Sequence, residues 1–180
     1  MKLFFISDLH GSSTWVNRAL KKFEEEKAEI IVLLGDVLYH GPRNPLPEAY
    51  DPPKVAQSLN QYKHKIIAVR GNCDSEVDQM MLEFPMLSDY TVIFHEDIRI
   101  FATHGHLYEI EKVQWLCKGD VFIQGHTHIL DGKKVEEKTF LNPGSISLPK
   151  EGNPHTYGIL ENKTFIVKDF EGQIIKECTL

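Results

Sequence analysis

Five apolar runs in this chain each end in residue types that bind metal ions. "FFISDLH" closes on Asp8 and His10, "VLLGD" on Asp36, "AVRGN" on Asn72, "FATHGH" on His104 and His106, and "FIQGHTH" on His126 and His128. Taken singly, an Asp or His at a strand end reads equally well as a turn former or a helix cap. Five such ends in one chain point to a shared centre. Residues at i and i+2 of an extended chain point the same way, so Asp8 with His10, and His126 with His128, can each offer two donors to one spot. The glycines beside these residues permit tight turns around a cluster.

The donors are two carboxylates, one amide oxygen and at least four imidazoles. That exceeds what a four-coordinate structural zinc needs, and suffices for two ions if one carboxylate bridges them. Nitrogen and oxygen donors without thiolate suit Mn, Fe, Zn or Ni better than Ca or Mg. Two such ions roughly 3.5 to 4 Å apart can hold both oxygens of an in-line phosphoryl displacement and generate hydroxide at neutral pH.

The donors need elements to carry them. Leu3 to Ile6 reads as a strand, and Ser12 or Ser13 can cap a helix to about Lys27 with Trp15, Ala19, Leu20 and Phe23 on one face. "EIIVLLGD" and "KIIAVRGN" read as buried strands. Between them the proline-rich "HGPRNPLPEAYDPP" is a loop, a candidate substrate lip over residues 41 to 53, and Pro53 suits the first turn of a following helix. "SEVD" has capping-box spacing and predicts a helix with Val77, Met80, Met81 and Phe84 inward. "YTVIF" and "RIFATHGH" should pair, a helix is expected from Ile110 to Lys118 with Gly119 as its stop, and "DVFIQGHTH" is a further buried strand. The tail holds only short β-rich segments, expected to pair mainly as antiparallel neighbours. In sheets built from strand-helix-strand units, loops at the carboxyl ends of the strands gather into one crevice, so the five donor sets can converge.

Composition limits the alternatives. The 180 residues are 42% apolar and 26% charged, ordinary for one soluble domain over residues 1–180. The longest aliphatic run, Ile30 to Leu34, is too short to cross a bilayer. "MKLFFISDLHGS" lacks the apolar core of a signal peptide, and a cytoplasmic location is expected. Cys73, Cys117 and Cys178 form no CxxC pair, against both a disulfide framework and a thiolate zinc site. A net charge of −6 with no basic run argues against an extended nucleic-acid surface. No membrane partner is expected, and a homo-oligomer remains open.

The set D-x-H, GD, GN, TH-G-H and GHTH resembles the calcineurin-like metallophosphoesterase superfamily. "SDLHGS", "LGDVLYHGPRN", "VRGNCDSEVDQM" and "NPGSISLPK" further resemble its bacterial YfcE-type phosphodiesterases over nearly the whole chain. The resemblance implies an α/β fold of α+β mixed character, a four-layer α-β-β-α sandwich of two mixed β-sheets flanked by helices. It implies two divalent ions per chain, Mn2+ first, with Fe, Zn or Ni as alternatives. By motif position it gives Asp8, His10 and His128 to one ion, Asn72, His104 and His126 to the other, and Asp36 as bridge. It implies hydrolysis of a small phosphodiester or phosphonate ester by hydroxide generated at that centre, with Asn72 helping to hold the phosphoryl oxygens.

Many superfamily members place a proton-donating histidine directly after the GN pair. Here that position is Cys73, whose thiol is a weak hydrogen-bond donor, so weak action on monoesters is expected. Cys73 is read either as a residue of the leaving-group chemistry or as semi-buried packing; a thiol nucleophile would be redundant beside an activated hydroxide. Arg43 and His106 are candidate substrate contacts, with His106 also readable as a partner of a ligand. Arg70 suits either phosphate or a structural carboxylate. His40, His64, His95 and His155 read as surface or loop histidines, and Cys117, Cys178, Trp15 and Trp115 as packing. The competing enzyme readings are a phosphomonoesterase or cyclic-nucleotide phosphodiesterase of the same superfamily. A non-catalytic interaction scaffold, like the retromer subunit of this fold, is the alternative of another class. Completeness of the seven ligand positions favours an enzyme, because burying so many ionisable groups without a metal is costly.

Overall fold

In a computed structural model of the protein, which describes residues 1–180 apart from the side chain of residue 111, eleven strands form two stacked mixed sheets. The first sheet has the order β11-β10-β9-β1-β2-β3. Its parallel half is β1 (Leu3–Ile6), β2 (Ile30–Leu33) and β3 (Ile66–Ala68), and its antiparallel half is β9 (Thr156–Glu161), β10 (Thr164–Asp169) and β11 (Ile174–Thr179). The second has the order β4-β5-β6-β8-β7. There β5 (Ile98–Thr103), β6 (Val121–Ile123) and β8 (Lys138–Asn142) run parallel, between antiparallel edges β4 (Tyr90–His95) and β7 (Asp131–Val135).

The unbroken apolar character of β1 and β2 follows from burial on both faces. Phe4, Ile6, Ile31 and Leu33 face α1 (Ser13–Glu25) and α2 (Pro52–Asn60), while Leu3, Phe5, Val32 and Leu34 meet Ile100, Ala102, Val121 and Ile123 of the second sheet. Helix α1 begins where the Ser12 side chain accepts a hydrogen bond from the Trp15 amide, and Trp15, Val16, Ala19, Leu20 and Phe23 form its buried stripe. Asp51 caps α2 in the same way through the Lys54 amide.

Four expectations are corrected. No α-helix spans Ile110 to Lys118: a single 3-10 turn at Ile110–Lys112 precedes irregular chain that seats Val113 and Leu116 on Phe101, Phe122 and Phe140. Two anchors do not make the stripe that a helix needs. Helix α3 (Glu76–Met81) does carry its capping box, but it turns Val77 and Met80 outward, 66% and 85% exposed. Its inward face is polar, because Asp78 binds the Ser75 amide and Gln79 binds Leu82, Phe84 and Met86 backbone groups. His95 is buried on β4 rather than at the surface, and Cys117 is exposed rather than packed. In the tail, β9 to β11 pair antiparallel as expected, whereas β8 joins β6 in parallel within the other sheet.

Candidate metal centre and phosphoester site

The carboxyl ends of β1, β2 and β3 in one sheet and of β5 and β6 in the other meet at one edge of the sandwich, and the strand-end donors gather there. His128 Nε2 lies 3.3 Å from Asp8 Oδ1 and 3.3 Å from His10 Nε2. On the other side, His104 Nε2 lies 3.1 Å from Asn72 Oδ1 and 3.2 Å from His126 Nδ1. Asp36 stands between the two groups. Its Oδ2 is 3.7 Å from His10 Nε2, and its Oδ1 is 3.5 Å from His104 Nε2. Asp8 Oδ1 is buried and has no hydrogen-bond partner, so one lone carboxylate oxygen faces the imidazoles with nothing to satisfy it.

Local backbone conformation aims these groups. Asp8, His10, Asp36, His126 and His128 all have φ between 47° and 66°, the left-handed region that few non-glycine residues occupy. The loops also press together: a Cβ on Gly71 would stand 2.1 Å from Asp36 Oδ1, and one on Gly125 would stand 1.8 Å from Ser7 Oγ. Only glycine admits that approach. The glycines of the GN and GH pairs are thus contact residues of the cluster itself.

The imidazoles are held from behind. Nδ1–H of His10 donates to the Tyr39 carbonyl, that of His104 to Leu34, and that of His128 to Leu148, at 3.0, 2.6 and 2.6 Å. A carbonyl only accepts, so each bond fixes the tautomer that leaves Nε2 as a bare donor toward the centre. His126 is the exception and turns Nδ1 inward. Asp8 is fixed through its backbone, whose carbonyl accepts from the Ser145 and Ser147 hydroxyls, and its Oδ2 accepts from the His126 amide.

Electrostatically the pocket calls for positive charge. Burial would push the Asp36 carboxyl up, but the hydrogen bond and charge of His104, the Cys73 amide and His10 hold it well below the usual carboxylate range. Burial likewise opposes charge on His104, yet Asp36 and Asp8 carry its pKa up to about 9. The two carboxylates thus favour positive charge at that spot. A divalent cation would meet the same demand, and the mixed oxygen and nitrogen donors fit such ions.

Asp74 is a residue that sequence reasoning passed over. Its buried carboxylate accepts from the Asp36, Val37 and Gly71 amides at 2.8, 2.8 and 2.7 Å, tying the loop after β2 to the loop after β3. Its signal was its place beside the GN pair. Cys73 is half-buried, with Sγ 3.3 Å from Asn72 Nδ2, and burial followed by the charge of Asp36 pushes its thiol up to about 12. His106 packs against His104 and His126, with centroids 5.4 and 6.2 Å away, and does not line the cavity over the donors. Burial, then His104 and His126, push its pKa down to about 4. Arg70 pairs with Asp89 at 2.6 Å and is structural.

A cavity of about 710 Å³ opens over the donors. Asp36, Asn72, Cys73, His126 and His128 form its floor, residues 41 to 44 of the proline-rich loop one wall, and Thr127 and Lys150 the other. Arg43 lines the cavity, and so do Tyr39, Thr127 and Lys150, which the sequence motifs do not single out.

Comparison with known proteins agrees with this geometry. The calcineurin-like phosphoesterase superfamily domain matches residues 1–164. The chain belongs to this superfamily. It is 50% identical over 175 residues to "Phosphodiesterase YfcE" of Escherichia coli strain K12, covering 97% of this chain and 95% of that one. The solved structure of Yfce, described as a phosphoesterase from E. coli, superposes with a TM-score of 0.97 over 99% of both chains at 48% identity. At 18% identity, vacuolar protein sorting 29 from Cryptosporidium parvum superposes with a TM-score of 0.68, covering 99% of this chain and 98% of that one. That last likeness concerns the fold alone. The sandwich of two mixed sheets expected for the superfamily is the fold observed, and the chain is an enzyme of the phosphoesterase class.

Proposed function

We propose that this protein is a metal-dependent phosphodiesterase that uses two divalent ions, with Mn2+ as the first choice. One observation carries the reading: the two oxygens of Asp36 face different histidines, His10 and His104, each within its own group of donors. That is the arrangement required of a bridging carboxylate. Asp8, His10 and His128 would hold one ion and Asn72, His104 and His126 the other. Bound there, the ions would supply Lewis acidity and lower the pKa of a coordinated water.

The chain's own groups do the rest. The anchored imidazoles and the Asp74 staple keep the donors in place without reorganisation, which is the condition for electrostatic stabilisation of a phosphoryl transition state. Asn72, at the cavity floor, is placed to hold a phosphoryl oxygen. The Cys73 thiol faces the same space but is a poor proton donor, so leaving groups that depart as stable anions are favoured. The diesterase reading is supported by the likeness to the E. coli phosphodiesterase.

The test is turnover by the Mn-loaded protein of paired aryl diesters and aryl monoesters. Diesters are expected to be the better substrates; equal or better turnover of the monoester removes the diesterase reading. Cys73→His should raise rates on poor leaving groups more than on good ones, read as a shallower dependence of log kcat/KM on leaving-group pKa. An unchanged slope takes Cys73 out of the mechanism.

A further inference from the structure

We infer that Arg43 and Lys150 form an anion subsite for a second phosphate of the substrate, so that the cleaved bond is a phosphoanhydride P–O–P within a diphosphate diester. The inference rests on the phosphodiesterase reading and narrows its substrate class.

The observation is an imbalance of charge on the cavity walls. The chain has 26 acidic residues against 20 basic ones, yet above the donor floor the walls carry two cations and no carboxylate. Arg43 and Lys150 come from loops more than a hundred residues apart in sequence, one after β2 and one after β8. Neither has a partner carboxylate among the described residues. The other three arginines do: Arg18 pairs with Glu171, Arg70 with Asp89 and Arg99 with Asp120. The Lys150 amide donates to the His128 carbonyl at 3.2 Å, which fixes that residue's place at the cavity edge. A Cβ on Gly41 would stand 2.9 Å from Cys73 Sγ, so the loop bearing Arg43 packs directly against the cavity floor.

A simple diester carries one negative charge, which the donor floor would already meet once it holds its cations. Two further cations beyond the floor have no role toward an uncharged leaving group. They match a leaving group that carries its own anionic oxygens, and the planar guanidinium of Arg43 suits phosphate in particular. The chemistry closes without a proton donor. The oxygen of one water bonds to the phosphorus held at the centre, and the bond from that phosphorus to the bridging oxygen breaks. The bridging oxygen keeps the electron pair and leaves on the second phosphate, the protons of the water pass to solvent, and nothing is oxidised or reduced. The products are two phosphate monoesters.

The experiment compares the Mn-loaded full chain with Arg43→Gln, Lys150→Gln and the double variant on two substrates, a P1,P2-diaryl diphosphate and the matching diaryl phosphate. Each single substitution should lower kcat/KM for the diphosphate about tenfold more than for the phosphate, and the excess should shrink at high ionic strength because both cations are exposed. Arg43→Lys should recover part of the excess. Calorimetry with the P1,P2-dimethyl ester of methylenediphosphonic acid, whose P–C–P link cannot be hydrolysed and whose methoxide is a poor leaving group, should show tighter binding than the methyl ester of methylphosphonic acid, an advantage lost in the double variant. Equal losses on both substrates, or no binding advantage in the wild type, overturns the inference while leaving diesterase activity intact. Failure of the wild type to cleave either substrate overturns the underlying reading as well.

Discussion

Two polar clusters knit distant parts of this chain together, and they differ in how their charges are balanced. Around Glu26, at the end of α1, Lys168 and the Tyr157 hydroxyl meet Oε1 at 2.7 and 3.1 Å, and Lys2 lies 3.7 Å from Oε2. Each group there has a protein partner. Around Asp36, two carboxylates and four imidazoles converge while Asp8 Oδ1 is left without one. A self-neutralised cluster is complete when the protein folds, and its role ends with joining β1, α1, β9 and β10. A cluster whose donors all face one point is complete only with a cation.

Changing one residue on each side should separate the two cases. The largest effect is expected at Asp36→Asn, which removes the carboxylate proposed as the bridge. Elemental analysis of Mn-loaded protein should fall from near two ions per chain, and activity should drop by at least about a hundredfold. One retained ion with full activity would falsify the bridge.

A smaller effect is expected at Asp74→Ala, which strands three buried amides of the donor loops. Chemical denaturation should show a loss of about 3 kcal/mol, accompanied by weaker metal uptake. Stability loss with unchanged uptake would make Asp74 a structural staple only.

The smallest effect is expected at Glu26→Gln, about 1 kcal/mol at neutral pH with metal uptake untouched. Burial raises the Glu26 carboxyl, but the hydrogen bond and charge of Lys168, then Tyr157 and Lys2, leave it below the ordinary glutamate range. A depressed carboxylate contributes stability fully above the unfolded value and loses it as the pH falls through the folded one. The difference between wild type and variant should therefore vanish in acid. A difference that persists there would show that packing, not charge, is what Glu26 supplies.

Much of the candidate site was legible because residue type and strand periodicity act locally. Asp8 with His10, and the glycines beside Asp36, Asn72 and His126, announce strand ends carrying donors, and parallel strands must release their loops on one edge. The inward face of α3 was not legible. Hydrophobicity argued for Val77 and Met80, and the hydrogen bonds of Asp78 and Gln79 prevailed. The segment after β5 departs from a helix for a related reason: three aromatic rings of the second sheet offer it two sockets rather than a long groove.

By itself, then, the sequence determined the donor types, their order along the chain and the strands that bear them, since each depends on neighbours a few residues apart. Tertiary structure alone decided which oxygen of Asp36 faces which histidine, and which carbonyls fix the tautomers of His10, His104 and His128. It also decided that Arg43 and Lys150 share one cavity, whereas His106 packs against His104 and does not line it. His10 and His128, 118 positions apart in sequence, likewise meet only because the two sheets stack.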